Sequence, residues 1–219
     1  MKELSDGIFA DKGKLYTENL VPGIKVYGEA LAKKDGKELR EWDPTRSKMA
    51  AAIMKKIKTI PLKEGSIIFY LGAASGTTIS HFSDIVKRSG LIYGIEFAER
   101  VFRNLIEIAG QRKNIAPLFA DARLPEKYFW VEDCDIVYAD IAQPDQTEIA
   151  LRNAHIFLKK GGFLFVTMKA RSIDVTKDPK QIYKEEAAKI SGKNYKIIEV
   201  VDLEPFEDSH AMIVAEKGQ

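Results

Sequence analysis

The sequence predicts an α/β fold built on a mostly parallel, doubly wound sheet. From Ser66 onward, short apolar runs alternate with segments that carry apolar residues at helical spacing. The runs are almost continuously apolar, which is typical of parallel strands that helices cover on both faces. With 219 residues, of which 45% are hydrophobic and 30% charged, the chain is long enough to bury the core that such a sheet requires.

Residues 7–42 precede this pattern and are predicted to form short strands separated by turns. Apolar and β-branched residues alternate around DKG at 11–13 and KDGK at 34–37, and both motifs are typical of hairpin turns. We therefore expect a small β-rich module over residues 1–45 and a second domain over residues 46–219. At the junction, Asp43 is the candidate N-cap of a helix that has Pro44 as its first residue and continues into MAAAIMKKI.

The second domain is expected to contain five strands and four helices before its tail. The predicted strands are SIIFYL at 66–71, LIYGIE at 91–96, APLFA at 116–120, CDIVYAD at 134–140 and FLFVTMK at 163–169. The predicted helices cover about residues 77–88, 98–109, 145–158 and 179–191. The tail at 195–217 has two strands joined by a polar loop, which predicts an antiparallel hairpin that closes a seven-stranded sheet. In such sheets, ligands bind beyond the carboxyl ends of the strands.

Composition narrows the class of protein further. The first ten residues lack the continuous apolar stretch of a signal peptide, and no run is as long as a membrane span. Cys134 is the sole cysteine, and no histidine or cysteine cluster has metal-ligand spacing, so we expect no metal site and a reducing, cytoplasmic location. Because the net charge is only +2, any nucleic-acid surface must come from local clustering of basic residues.

The loop after the first strand of the second domain is the first candidate for a cofactor site. In GAASGTT at 72–78, two glycines bracket small residues before a helix begins, and a turn of this kind allows a ligand to approach the backbone closely. It differs from the dinucleotide fingerprint GxGxxG because Ala74 replaces the second glycine. The loop residues of the predicted site are Gly72, Ala73, Ala74, Gly76, Thr77 and Thr78.

Acidic residues at the ends of the next strands complete this predicted site. Glu96, 24 residues after Gly72, can accept hydrogen bonds from both ribose hydroxyls of an adenosine, as it would in an NAD enzyme. Asp121 can accept from the adenine amine, and Asp140 follows the fourth strand. A dinucleotide site does not need all three acids, whereas a cationic sulfonium cofactor gains from nearby carboxylates. The predicted site also includes Phe97, Ala122 and Gln143.

Several motifs together resemble the fibrillarin family, the 2′-O-methyltransferases of box C/D guide-RNA complexes. They are LGAASGTT, YGIEF, the DA pair at 121–122 and YADIAQPDQ, with YTENLVPG, VYGE and REWDPTRSK nearer the N-terminus. The resemblance covers nearly the whole chain. It implies a Rossmann-like class I S-adenosylmethionine (AdoMet) methyltransferase fold with AdoMet as the cofactor. A glycine/arginine-rich N-terminal extension is missing, which indicates the compact archaeal type.

The same resemblance identifies candidate catalytic residues. Ribose methyltransferases use a Lys-Asp-Lys-Glu tetrad, and its positions match Lys48, Asp140 and Lys169, with His210 in the fourth position as in fibrillarins. A ribose hydroxyl is a poor nucleophile until its proton is accepted, and a lysine accepts a proton only in its neutral form. Our hypothesis is that Lys169 is the base, that Lys48 favours its neutral form and orients the hydroxyl, and that Asp140 positions the lysines. His210 would complete the polar network.

RNA contacts are expected on the segment that follows Lys169. The residues predicted to meet phosphates are Arg171, Lys177, Lys180 and Lys184, with Arg46 at the same edge. Because no motif that reads an RNA sequence is present, target choice must come from elsewhere. The resemblance implies a box C/D guide RNA, a Nop-domain scaffold protein and a kink-turn-binding subunit that resembles a ribosomal protein. The implied substrate is ribosomal RNA and possibly transfer RNA.

Three other functions remain open from the sequence alone. One is methyl transfer to a small molecule or a protein, although a nucleophile that is already basic would not need the lysine pair. A second is an NAD-dependent oxidoreductase, which the missing central glycine and Asp121 disfavour. The third is a catalytically silent scaffold that binds AdoMet and RNA–protein partners.

Overall fold

Two β-sheets, one small and antiparallel and one large and mostly parallel, organise residues 2–219, the part of the chain that this computed structural model describes. The small sheet has the strand order β1-β2-β3-β5-β4. Its strands are β1 (Lys2–Ser5), β2 (Ile8–Asp11), β3 (Lys14–Glu18), β4 (Leu31–Lys34) and β5 (Lys37–Trp42). The hairpin turns predicted at 11–13 and 34–37 are confirmed, since each joins two of these strands in antiparallel register. Strand β1 precedes residues 7–42, where the strands were predicted, but it lies within the bounds of 1–45 expected for the module.

The large sheet has seven strands in the order β11-β12-β10-β9-β6-β7-β8. The strands are β6 (Ile67–Leu71), β7 (Leu91–Glu96), β8 (Ile115–Phe119), β9 (Cys134–Ala139), β10 (Leu158–Lys169), β11 (Tyr195–Asp202) and β12 (His210–Lys217). Strands β6 to β10 pair in parallel, and β12 runs antiparallel between β10 and β11. The predicted fold class and the closing hairpin are therefore confirmed. The strand order reverses beside β6, which opens a crevice at the carboxyl ends of β6 and β9.

Over the described residues 2–219, six α-helices pack around this sheet. They are α1 (Lys48–Met54), α2 (Thr77–Val86), α3 (Glu99–Gln111), α4 (Gln146–Phe157), α5 (Ala170–Ile173) and α6 (Pro179–Ser191). The four helices predicted in the second domain are confirmed as α2, α3, α4 and α6, with ends that differ by two residues or fewer. The short helix α5 was not predicted. Within residues 2–219, none of the helices combines the length and apolar character that crossing a membrane requires.

The predicted start of helix α1 is wrong. The helix begins at Lys48, and Ser47 is its N-cap, with Oγ accepting a hydrogen bond from the Ala50 amide. Asp43 instead accepts bonds from the backbone and side chain of Thr45 at 2.8 and 2.7 Å, which closes a local turn that includes Pro44. Because short polar side chains compete for nearby amides in this way, an Asp-Pro pair can mark a turn as well as a helix start.

Buried charges join the small sheet to the large one. Asp84 on α2 accepts hydrogen bonds from Arg40 on β5 and from Arg112 at the end of α3, and all three side chains are almost fully buried. Beside them, the His81 ring is stacked on Trp42 and bonded to the hydroxyls of Thr17 and Tyr27. Burial, reinforced by the two guanidinium groups, holds the pKa of His81 well below its ordinary range, so the ring is neutral. The small sheet is thereby held against helix α2, which begins at the glycine loop.

Candidate functional site

The glycine loop lies at the crevice and is shaped by backbone conformations that favour small residues. Gly72 has φ +79°, and a Cβ atom on it would collide with the backbone carbonyl of Asp140. Gly76 has φ +93° and caps α2, where a Cβ would meet the Ile108 side chain. Each glycine thus allows a close approach that another residue would prevent.

Glu96 ties this loop to the end of β7. One of its carboxylate oxygens accepts a hydrogen bond from the Ala74 amide at 3.0 Å, and the other accepts from the amides of Phe97 and Ala98 at 2.9 and 2.8 Å. The side chain is 7% exposed, and each oxygen has two lone pairs, so Glu96 retains capacity to accept from a ligand hydroxyl. Glu96 is therefore both a structural acceptor for the loop and a candidate ligand.

A cavity of about 240 Å³ that opens to solvent lies beyond these strand ends. Eight of the twelve residues predicted to bind the cofactor line it: Gly72, Ala74, Glu96, Phe97, Asp121, Ala122, Asp140 and Gln143. The other four do not line it: Ala73 lies in the loop, Gly76 is the N-cap of α2, and Thr77 and Thr78 begin that helix.

Sequence reasoning missed some of the lining residues. Ile95, Ile141, Ala142 and Ile149 supply apolar surface and have no chemical signature that a motif could reveal. Arg123 was also missed. Its guanidinium binds both carboxylate oxygens of Asp145 at 2.9 and 3.1 Å and donates to Gln143 at 3.2 Å, so it connects the loops that follow β8 and β9.

Three of the four predicted catalytic residues meet at one edge of the cavity. The Asp140 carboxylate lies 2.9 Å from the Lys169 Nζ and 3.4 Å from the Lys48 Nζ, and it also accepts from the Thr167 hydroxyl at 3.0 Å. Burial raises the pKa of Asp140, but the two ammonium groups outweigh this effect and hold that pKa below its ordinary value. Asp140 is consequently an anion at neutral pH, and it keeps two cations close together.

His210 is adjacent to this cluster, but the structure records a different contact for its ring. It pairs with Lys169 in the register of β10 and β12, while its Nδ1 is 2.6 Å from the Asp208 carbonyl. Sequence reasoning missed a carboxylate beside one of the lysines: Glu207 Oε1 lies 3.9 Å from the Lys48 Nζ. Only the folded loop between β11 and β12 reveals this approach.

All five residues predicted to bind RNA are exposed to solvent. Arg46 lies over the Tyr27 ring, 4.9 Å from its centroid, and Arg171 donates to the Val175 carbonyl at 2.8 Å. Lys177 forms an ion pair with Glu185 at 2.9 Å. Lys180 and Lys184 project from α6 beside a groove that Tyr183 and Val200 also line. Arg171 is nearest to the cavity along the chain, because α5 begins directly after Lys169.

Replacing Gly72 with alanine should weaken binding of the predicted AdoMet by about tenfold or more. The new methyl group would collide with the Asp140 carbonyl and force the loop away from β9. Calorimetric titration with AdoMet measures the change. Gly13→Ala is the matched control, because Gly13 has φ +78° but no atom within 4 Å of its hypothetical Cβ. If both variants bind AdoMet as the wild type does, Gly72 does not shape the binding loop.

Comparison with known proteins gives the same family across the whole fold. The fibrillarin family model matches residues 2–219. A fibrillarin-like rRNA/tRNA 2′-O-methyltransferase of Saccharolobus islandicus is 52% identical over 214 residues, which cover 97% of this chain and 90% of the relative.

Two solved structures are similar in both sequence and fold. Aeropyrum pernix fibrillarin, solved with natively bound S-adenosyl-L-methionine, has a TM-score of 0.86 and 51% identity, covering 92% of this chain and 88% of that chain. A fibrillarin solved in complex with Nop5p has a TM-score of 0.90 and 40% identity, covering 99% of this chain and 100% of that chain.

Proposed function

The chain belongs to the fibrillarin family, and from this premise we propose that it transfers a methyl group from AdoMet to the ribose 2′-hydroxyl of ribosomal and transfer RNA. The observation that carries the proposal is the cluster of Lys48, Asp140 and Lys169 at the edge of a cavity lined by acidic strand ends. The relative from Saccharolobus islandicus has a name that describes the same activity.

The residues present in the cavity fit AdoMet. Glu96 has one unused lone pair, on Oε2, for a ribose hydroxyl of the cofactor, and Asp121 is available to the adenine amine. Phe97, with 59% of its surface exposed at the cavity, offers a face against which the adenine can pack. Asp140 provides a negative charge near a sulfonium. The related Aeropyrum pernix protein was solved with this cofactor bound.

We assign the proton-accepting role to Lys169. When bound, AdoMet supplies an electrophilic methyl carbon on a positively charged sulfur. As the 2′-oxygen bonds to that carbon, the carbon–sulfur bond breaks with its electron pair left on sulfur, and Lys169 takes the hydroxyl proton. Asp140 holds the Lys169 amine in place at 2.9 Å and keeps Lys48 beside it at 3.4 Å.

Placement of the hydroxyl contributes to the rate as well. Lys48 is held beside Asp140 and can donate a hydrogen bond to the 2′-oxygen, which aligns the nucleophile with the methyl carbon. In-line placement of two reactants supplies a large share of the acceleration in many enzymes. His210, opposite Lys169 in the sheet, completes the polar edge of the site.

RNA would enter along the exposed basic residues next to this edge. Arg171, Lys180 and Lys184 are exposed on α5 and α6, and Arg46 is exposed just before α1, so these segments would offer cations to the phosphates of the RNA. These contacts position the backbone without reading sequence. We therefore propose that a box C/D guide RNA selects the nucleotide in the cytoplasm. A Nop-domain scaffold and a kink-turn-binding subunit would hold the guide, as a related fibrillarin binds Nop5p.

Nucleoside analysis tests the chemistry of this proposal. The chain is supplied with isotopically labelled AdoMet, partner proteins, guide RNA and substrate RNA, and the RNA is digested to nucleosides for mass spectrometry. Label on the 2′-oxygen is the expected result. Label on a base, on a protein or on a small molecule would instead support another class of methyltransferase, and preferential binding of NAD would support an oxidoreductase.

A further inference from the structure

The Lys48 ammonium lies between two carboxylates, and only one of them belongs to the site described above. Asp140 Oδ2 is 3.4 Å from the Lys48 Nζ, and Glu207 Oε1 is 3.9 Å from the same atom. The three side chains are 16%, 14% and 21% exposed for Lys48, Asp140 and Glu207. They therefore form a partly buried cluster in which charges are poorly screened by solvent.

The loop that carries Glu207 is held in place by several contacts. The carbonyl of the buried Leu203 accepts hydrogen bonds from the amides of Phe206 and Glu207 at 2.9 and 3.3 Å. The Leu203 amide donates to the backbone carbonyl of His210 at 3.0 Å. Lys55, at the end of α1, donates to the Glu204 carbonyl at 2.7 Å. The loop is thus attached to the same helix that begins with Lys48.

The distribution of charge explains why a second carboxylate matters here. Asp140 makes its shorter contact with Lys169, at 2.9 Å, and leaves Lys48 with the longer one. Two ammonium groups that shared a single carboxylate would repel each other, and the more weakly held one could move away. With Glu207 present, Lys48 is attracted by two carboxylates, whether or not Lys169 carries its proton.

We propose that Glu207 is a positioning residue that holds Lys48 at the reacting ribose hydroxyl. This inference rests on the proposed function. An ammonium group has three N–H donors, and Asp140 accepts from one of them at 3.4 Å. The Glu207 carboxylate, 3.9 Å away, attracts the charge of the ammonium without taking a hydrogen bond, so a donor is left for the 2′-oxygen of the substrate. His210 does not take this role, because an imidazole whose Nδ1 is already bonded to the Asp208 carbonyl offers no anion to Lys48.

Glu207→Gln provides the test, because it keeps the size and shape of the side chain and removes only the charge. In the assembled complex with guide RNA, kcat should fall by about 10- to 100-fold, as is typical when a partner that orients a functional group is lost. The AdoMet dissociation constant, the KM for RNA and the melting temperature should stay close to the wild-type values. Glu207→Asp should restore part of the lost kcat.

Glu204→Gln is the matched control. Glu204 lies in the same loop with an exposed side chain, and its contact with Lys55 is made through the backbone carbonyl. This variant should be as active as the wild type. If Glu207→Gln is also fully active, or if it lowers the melting temperature and AdoMet affinity as much as kcat, Glu207 does not position Lys48.

A second measurement separates this proposal from the proposed function. The ammonium protons of Lys48 should exchange slowly with water in the wild-type chain, so that its ¹⁵N signal is sharp. The signal should broaden in Glu207→Gln, whether or not the enzyme turns over. If the wild-type complex transfers no methyl group to RNA, the proposed function is wrong, and this resonance alone decides the role of Glu207. An unchanged Lys48 signal in Glu207→Gln would overturn the positioning role of Glu207.

Discussion

Lys169→Met should reduce methyl transfer by about 10³-fold or more and leave AdoMet binding nearly unchanged. Methionine has a similar length but can neither accept the hydroxyl proton nor pair with Asp140. The other cavity residues that we assign to the cofactor stay in place, including Glu96 and Asp121. Single-turnover transfer and calorimetric titration with AdoMet separate the two effects.

Lys196→Met is the control for this substitution, because Lys196 is exposed on β11 and lies outside the cavity. It should leave both quantities unchanged. Retained transfer by Lys169→Met would show that Lys169 is not the base. In that case placement of the hydroxyl by Lys48 and the RNA contacts would account for the acceleration.

Asp84→Asn should lower the free energy of unfolding by about 3–5 kcal/mol. The change removes the anion shared by Arg40 and Arg112, which are both almost fully buried, and Glu29 remains as the carboxylate bonded to Arg40. One guanidinium would be left in the interior without a compensating charge. Urea unfolding monitored by far-ultraviolet circular dichroism and by tryptophan fluorescence measures the loss.

Glu185→Gln is the surface control for that experiment. Glu185 pairs with Lys177, and both side chains are more than 40% exposed, so the loss should be below about 1 kcal/mol. Equal losses in the two variants would contradict the importance of the buried network.

The same curves address the domain boundary predicted after residue 45. Asp84 on α2 accepts hydrogen bonds from Thr17 and Arg40 of the small sheet, so we expect the two domains to unfold in one common transition. Two separate transitions would contradict this expectation.

The sequence was most informative where local rules determine the structure. Apolar runs without alternation predicted the parallel strands, and DKG and KDGK predicted the hairpins, because both signals depend on neighbours along the chain. The start of α1 was mispredicted for the same reason. Asp43 satisfies the rule for an N-cap but is used in a turn with Thr45, and the contacts that decide between these two uses depend on the folded chain.

The candidate site shows a similar division. Gly72, Glu96 and Asp121 were predictable because parallel strands bring their carboxyl ends to one edge, and resemblance to fibrillarins identified Lys48 and Lys169. Glu207 and Lys48 are 159 residues apart along the chain, and their approach depends on the fold of the β11–β12 loop. Periodicity and spacing contain no information about such a contact.

Methyl transfer from radiolabelled AdoMet to an RNA paired with a box C/D guide tests the central claim most directly. The reaction is run with and without the Nop-domain scaffold and the kink-turn-binding protein. We predict label on the 2′-oxygen of the nucleotide selected by the guide, and only when both partners are present. If the chain binds AdoMet but the complete assembly labels no RNA, the cofactor assignment stands and the proposed RNA substrate is wrong.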